Sequence, residues 1–101
     1  MFYDVFKLKD LVELKDTKMD KKVLLESENS ALRLVALKKD EIIDTHTAKS
    51  DSAVYVLDGE IELHFNAQQF KLDKGEILMF KRDEEHKVLA KKDSKFLIFC
   101  V

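Results

Sequence analysis

The sequence predicts an all-β fold, a sandwich or barrel of short strands. Three features carry that expectation. Eight or nine short runs rich in branched and aromatic side chains recur along the chain, with turn residues roughly every 8–12 positions. In EIELHF, Ile61, Leu63 and Phe65 alternate with Glu60, Glu62 and His64, the period of two that marks a strand with one buried face. Helical spacing is confined to the start of the chain.

Taken in order, Val5, Leu8, Leu11 and Val12 are spaced for a helix, while Phe2, Phe6 and Leu8 also fit alternation. A short helix is expected within residues 8–14. Residues 22–25 and 32–37 (LRLVAL) read as strands separated by the polar turn ESENS. Ile42 and Ile43 then lead a strand into His46. Residues 53–57 (AVYVL) run into Asp58-Gly59, which reads as a two-residue hairpin turn because glycine accepts positive φ cheaply. After the alternating strand 61–65, residues 66–69 turn, Phe70 and Leu72 alternate, and Asp73-Lys74-Gly75 turns again. Strands at 77–80, 87–90 and 96–101 complete the series. There is no proline and there are only two glycines, so most turns must be built from Asn, Asp, Ser and Lys. At 101 residues, with no linker or fixed repeat, a single domain is expected.

Composition narrows the function classes. The 18 basic and 20 acidic residues are spread evenly and give a formal net charge of −2, so no basic face for nucleic acid is expected. Only Arg33 and Arg82 are arginines, which leaves few candidates for bidentate phosphate recognition. The lysine pairs Lys21-Lys22, Lys38-Lys39 and Lys91-Lys92 read as solvated loop or edge residues that discourage edge pairing. Cys100 is the single cysteine, so no intrachain disulfide is possible and a reducing, cytoplasmic setting is expected. Its place in FLIFC suggests a small buried hydrophobe. The N-terminal MFYDVFKLKD has neither the basic n-region nor the apolar h-region of a signal peptide. Apolar runs of about five residues fall far short of a membrane span, so no membrane association is expected.

Two histidines and two glycines form the constellation that carries chemistry. His46 lies 13 residues before Gly59, and His86 lies 11 after Gly75. This arrangement resembles the cupins, small jelly-roll barrels with the motifs G-x5-H-x-H-x3,4-E-x6-G and G-x5-P-x-G-x2-H-x3-N. On the first motif, His46 takes the first histidine, Ala48 the second, and Ser52 the glutamate position. On the second, Gly75 and His86 match, while Lys81 stands for proline, Asp83 for the inner glycine and Ala90 for asparagine. The segments VYVLDGEIEL and GEILMF are similar to the strand-turn-strand core of that family. HTAKSDSAVYVLDGE is closer still to a branch of small cupins of unassigned role with HTA-x-x-D followed by V-x-V-L-x-G-E, in which the first motif also keeps one histidine. The resemblance implies an all-β, cupin-type jelly-roll barrel over residues 31–101, with residues 1–30 adding strands or a short helix.

What the resemblance implies for a site is a depleted metal centre. Metal-dependent members bind one ion through the two first-motif histidines, the glutamate and the second-motif histidine. Here His46 and His86 remain, and Asp51, five residues after His46, would make a 2-His-1-carboxylate set if its loop turned inward. Strand parity from Ser52 argues that it points away. The expected cofactor is therefore none, or a weakly bound divalent metal (Fe, Mn, Zn or Ni), since two neutral imidazoles do little to offset metal desolvation. His64 shares a face with Glu60 and Glu62 and reads as surface-facing. His46, His86, Ser52, Tyr55 and Phe80 are the expected pocket residues, and Phe96 and Phe99 suit either the pocket wall or the core.

Three functional readings follow. The first is a small-molecule-binding barrel without a full metal site. The second is a metal-dependent enzyme of oxygenase or isomerase type using His46, His86 and Asp51. The third is a dimeric interaction or regulatory module with a vestigial pocket. The strands AVYVL and FLIFCV are apolar on both faces and must be covered on both, which makes a homodimer the expected partner state. Phe2, Tyr3 and Phe6 would pack across such an interface.

Overall fold

The computed structural model describes residues 2–15 and 19–101. A 3₁₀ turn at Leu8–Leu11 is followed by nine antiparallel strands: β1 (Asp20–Glu26), β2 (Ala31–Leu37), β3 (Ile42–Thr47), β4 (Ser52–Asp58), β5 (Glu60–Phe65), β6 (Gln69–Asp73), β7 (Ile77–Phe80), β8 (Glu85–Ala90) and β9 (Ser94–Cys100). The expected N-terminal helix is thus a single tight turn, and the strands fall where the apolar runs placed them. They form two facing sheets, a five-stranded one in the order β1-β2-β9-β4-β7 and a four-stranded one in the order β3-β8-β5-β6. The expected all-β jelly roll is present, as two sheets rather than one closed ring.

One expectation needs correcting. Asp58-Gly59 does not close a hairpin, because β4 pairs with β7 and β9 while β5 pairs with β6 and β8. The turn instead carries the chain from one sheet to the other. Gly59 has φ +90, and a Cβ there would collide with Ser94 Oγ and the Asp93 carbonyl. Local sequence reports that the chain turns here, and long-range pairing decides which strands meet across the turn. Gly75, at φ +86, lies at another crossing, from β6 to β7. Asp83, standing where the resembling motif has glycine, also adopts positive φ (70), a conformation Asp tolerates better than most residues.

Side-chain parity divides the apolar residues between two cores. Val35 and Leu37 (β2), Val54 and Val56 (β4), Ile61 and Leu63 (β5), Val88 and Ala90 (β8) and Phe96 (β9) are buried between the sheets. Leu34 and Ala36, on the other face of β2, pack with Val12 of the N-terminal segment, supported by Leu8, Leu11, Leu24, Leu57 and Leu97. The apolar back of β2 is therefore covered by the chain's own N-terminal segment, which Lys95 ties down by donating to the Lys9 carbonyl at 2.6 Å. That cover stops short of β4 and β7. Tyr55, Ile77, Met79 and Phe99 stay exposed on the same outer face. No helix among the described residues is long and apolar enough to cross a membrane.

Candidate functional site

The core fills one end of the space between the sheets. At the other end the interior positions open into a cup of about 700 Å³. Its floor is apolar, with Val35, Val54, Val88, Ile98 and Phe80, and its rim is polar.

β3 and β8 bring the two histidines together. His46 pairs with His86 in register, on the interior face that Val88 and Ala90 also occupy. A shift in register between Ile43 and His46 places His46 on the cup side. The imidazole centroids are 4.2 Å apart and tilted by 58°. His86 is only 4% exposed and packs against Phe80 at 4.7 Å and Phe65 at 5.6 Å, whereas His46 sits at the open mouth.

Each ring is oriented by its own backbone. His46 Nδ1 lies 2.9 Å from the Asp44 carbonyl, and His86 Nδ1 lies 3.0 Å from that of Glu84. A carbonyl oxygen only accepts, so each Nδ1 carries a hydrogen. In the neutral ring that leaves Nε2 with a free lone pair. Burial holds the pKa of His86 below its ordinary value, and the neighbouring His46 imidazole pushes in the same direction. The Glu84 carbonyl and carboxylate oppose them only in part. At neutral pH, His86 is thus a neutral acceptor on the wall of the cup.

Of the other expected site residues, Ser52 and Phe80 line the cup. Ser52 Oγ donates to the Ser50 carbonyl at 3.0 Å and lies 3.6 Å from Cys100 Sγ. Tyr55 does not belong to the site: odd-numbered residues of β4 point outward, and Tyr55 is 37% exposed on the outer sheet face. Phe96 is core, and Phe99 lies on the outer face. Asp51 is a second correction. Its carboxylate accepts the Arg82 N–H at 3.0 Å, and the residue lines an outer groove with Met79 and Phe99 instead of the cup. His64, as expected, faces outward, with Nε2 2.8 Å from Glu62 Oε1.

Arg33 and Cys100 are among the cup residues that lie outside the expected pocket set. Arg33 shares the interior face of β2 with Val35 and stands opposite Ile98 of β9. Its Nη1 donates to Cys100 Sγ at 3.5 Å. LRLVAL is apolar on both faces, so parity alone could not say which side Arg33 took. The cue was available in FLIFCV, where Phe96 inside puts Ile98 and Cys100 inside as well.

The arrangement does not fit the metal that the fold family often carries. Catalytic sites of this kind use three or four protein ligands. Here two imidazole rings lie side by side, and among the described residues no cluster of three or more His, Cys, Asp or Glu side chains is placed to hold an ion. The set His46, His86 and Asp51 is not assembled, because Asp51 is turned to the outer groove. Chemically, the cup offers an apolar floor, two imidazoles, serine and threonine hydroxyls, a thiol, the Arg33 guanidinium, and Lys21, Lys49, Glu26 and Glu28 along its lining.

Comparison with known proteins agrees with the jelly-roll fold. The cupin domain model matches residues 33–101. Similar solved structures include a conserved protein of unknown function from Streptococcus pyogenes, at 19% identity and a TM-score of 0.92, with 100% of this chain and 89% of that one covered. A cupin superfamily protein from Desulfitobacterium hafniense is 20% identical with a TM-score of 0.91, covering 98% and 91%. A cupin 2 conserved barrel domain protein from Leptotrichia buccalis is 31% identical with a TM-score of 0.89; the match covers 95% of this chain and 47% of that protein. No curated protein matches the chain.

Proposed function

This chain belongs to the cupin family, and from that premise we propose that it is a small-molecule-binding jelly roll, working as a homodimer without a full metal site. The observation that carries the reading is the cup itself. It is an apolar-floored cavity of about 700 Å³, within the 300–1,000 Å³ typical of ligand sites, with a pair of oriented imidazoles on its wall. Apolar pockets with a few convergent polar groups bind small molecules, and the backbone-held rings are already set to accept hydrogen bonds. The same rings supply two ligands where a catalytic metal needs at least three, so no chemical step is assigned to a metal here. A lone thiol with no possible intrachain partner suits a reducing, cytoplasmic setting.

A separate observation supports the dimer. Tyr55, Ile77, Met79 and Phe99 form a contiguous apolar patch across β4, β7 and β9, with Met79 72% exposed. Contiguous apolar surface on a sheet that already packs on its other face is characteristic of an interface between subunits.

The test is a ligand screen by ¹H–¹⁵N correlation spectra on untagged, chelator-dialysed protein. Compounds that bind should perturb amides around His46, His86 and Ser52, and His46→Ala should weaken binding several-fold with the rest of the spectrum intact. Elemental analysis of the same sample should find metal well below one per chain. Stoichiometric metal that disappears in His86→Ala would overturn the metal-free part of the reading. A screen that perturbs no cup residue would overturn the binding part.

A further inference from the structure

Arg33 is half-buried in the cup, and its side-chain partner among the described residues is weak. It lies on the inward face of β2, between the core residue Val35 and the cup-lining Ala31. A guanidinium at an interior position loses hydration and needs its five donors met. Its protein partner is a thiol sulfur at 3.5 Å, a feeble neutral acceptor. None of the ion pairs among the described residues involves it.

Residue choice sharpens the point. Sixteen of the chain's 18 cations are lysines, and of the two arginines Arg82 is exposed while Arg33 faces inward. An arginine at an inward position therefore stands out: lysine serves for general solubility, and only the planar fork suits bidentate recognition of an oxyanion.

Geometry adds a second wall. Arg33 belongs to the five-stranded sheet, His46 and His86 to the four-stranded sheet facing it. The cup between them presents a cation on one side and two hydrogen-bond acceptors on the other, over an apolar floor. With Arg33, the lysines Lys21 and Lys49 and the glutamates Glu26 and Glu28 line the cup, leaving one cation in excess, which a single negative charge balances.

We propose that Arg33 anchors the carboxylate of a small monoanionic organic acid, whose hydrogen-bond-donating group, a hydroxyl, faces the imidazoles of His46 and His86. This inference rests on the reading of the cup as a small-molecule site, and deepens it by assigning the ligand class. Cys100 Sγ lies beside the guanidinium, and Ser52 Oγ lies 3.6 Å beyond the sulfur.

The experiment titrates isotope-labelled protein with matched pairs of carboxylate and carboxamide: lactate and lactamide, 3-hydroxybutyrate and 3-hydroxybutyramide, benzoate and benzamide. Inorganic phosphate is titrated alongside, and the variants are Arg33→Met and Arg33→Lys. The expected result is that carboxylates perturb the amides of Arg33, Ser52 and Cys100 and bind at least tenfold more tightly than their amides. That preference should vanish in Arg33→Met and partly return in Arg33→Lys, and it should weaken with added salt. Carboxamides binding the cup as tightly as carboxylates, or carboxylate binding unchanged in a folded Arg33→Met, would overturn the assignment and leave the cup as a ligand site. Arg33-dependent binding of phosphate tighter than any carboxylate would replace the ligand class. Neither member of any pair perturbing a cup residue would remove both this inference and the reading beneath it.

Discussion

Single residues set the chemistry of the cup, and His86 is the clearest case. Folding buries its ring and lowers its pKa below the ordinary 6.5. In the window between the two values the unfolded chain holds a proton that the folded chain does not. Stability is therefore full above about pH 6.5 and falls as pH drops through the folded value. Thermal unfolding at pH 7.5 and 5.5 should show the midpoint falling with acid, and His86→Gln should flatten that slope. An unchanged slope would mean other groups control it. Gly59 and Gly75 offer a paired measurement. Both have positive φ, so alanine costs of order 1–2 kcal/mol at each from backbone strain. Only at Gly59 does the new methyl also meet Ser94 and the Asp93 carbonyl. Denaturant titration should find Gly59→Ala clearly the more destabilised, and equal losses would contradict the packing described. At this scale the sequence was partly legible. His46 and His86 were read from motif spacing and do converge. Tyr55 and Asp51 were misplaced because a face can be assigned only once a strand's partner is known, and Arg33 was hidden by a strand apolar on both sides.

At the scale of elements, the two sheets are fastened where β5 begins and β9 begins. Ser94 is almost fully buried, and its Oγ accepts from the Glu60 N–H at 3.0 Å while lying 2.7 Å from the Lys92 carbonyl and 3.1 Å from that of Glu60. Its one hydrogen serves the carbonyls and its lone pair serves the amide. Ser94→Ala would leave the Glu60 N–H without that acceptor, for a loss of about 1–3 kcal/mol. Loss of amide protection at Glu60 in hydrogen exchange would localise the damage. Unaltered stability would show that this contact does not tie the sheets. Elements were the most legible level: strand positions follow from period-two alternation and turn residues, both local signals. Pairing is non-local, which is why Asp58-Gly59 read as a hairpin and is a crossing between sheets. The segment Val12 to Leu8, whose spacing looked helical, spends its apolar residues covering Leu34 and Ala36 instead.

For the whole molecule, the apolar patch of Tyr55, Ile77, Met79 and Phe99 predicts association. Light scattering behind size exclusion should return a dimer mass, and Met79→Lys with Phe99→Glu should return a monomer with an unchanged circular dichroism spectrum. A monomer for the unmodified protein at high micromolar concentration would defeat the proposal. The fold class was legible because composition, alternation and motif spacing agree on it, whereas the division of the outer sheet face between N-terminal cover and open patch required coordinates. The position of β9 has a further consequence, for how fast the molecule forms. β9 lies between β2 and β4, and its pairing joins Ala31 to Cys100, 69 positions apart in the chain. The five-stranded sheet cannot close until its distant middle strand arrives, and such non-local pairing places folding in the milliseconds-to-seconds range. With no proline in the chain, a slow refolding phase has no isomerisation to explain it. Refolding should therefore be slow, single-phased and unaffected by a prolyl isomerase, its rate limited by closing the longest loop in the topology.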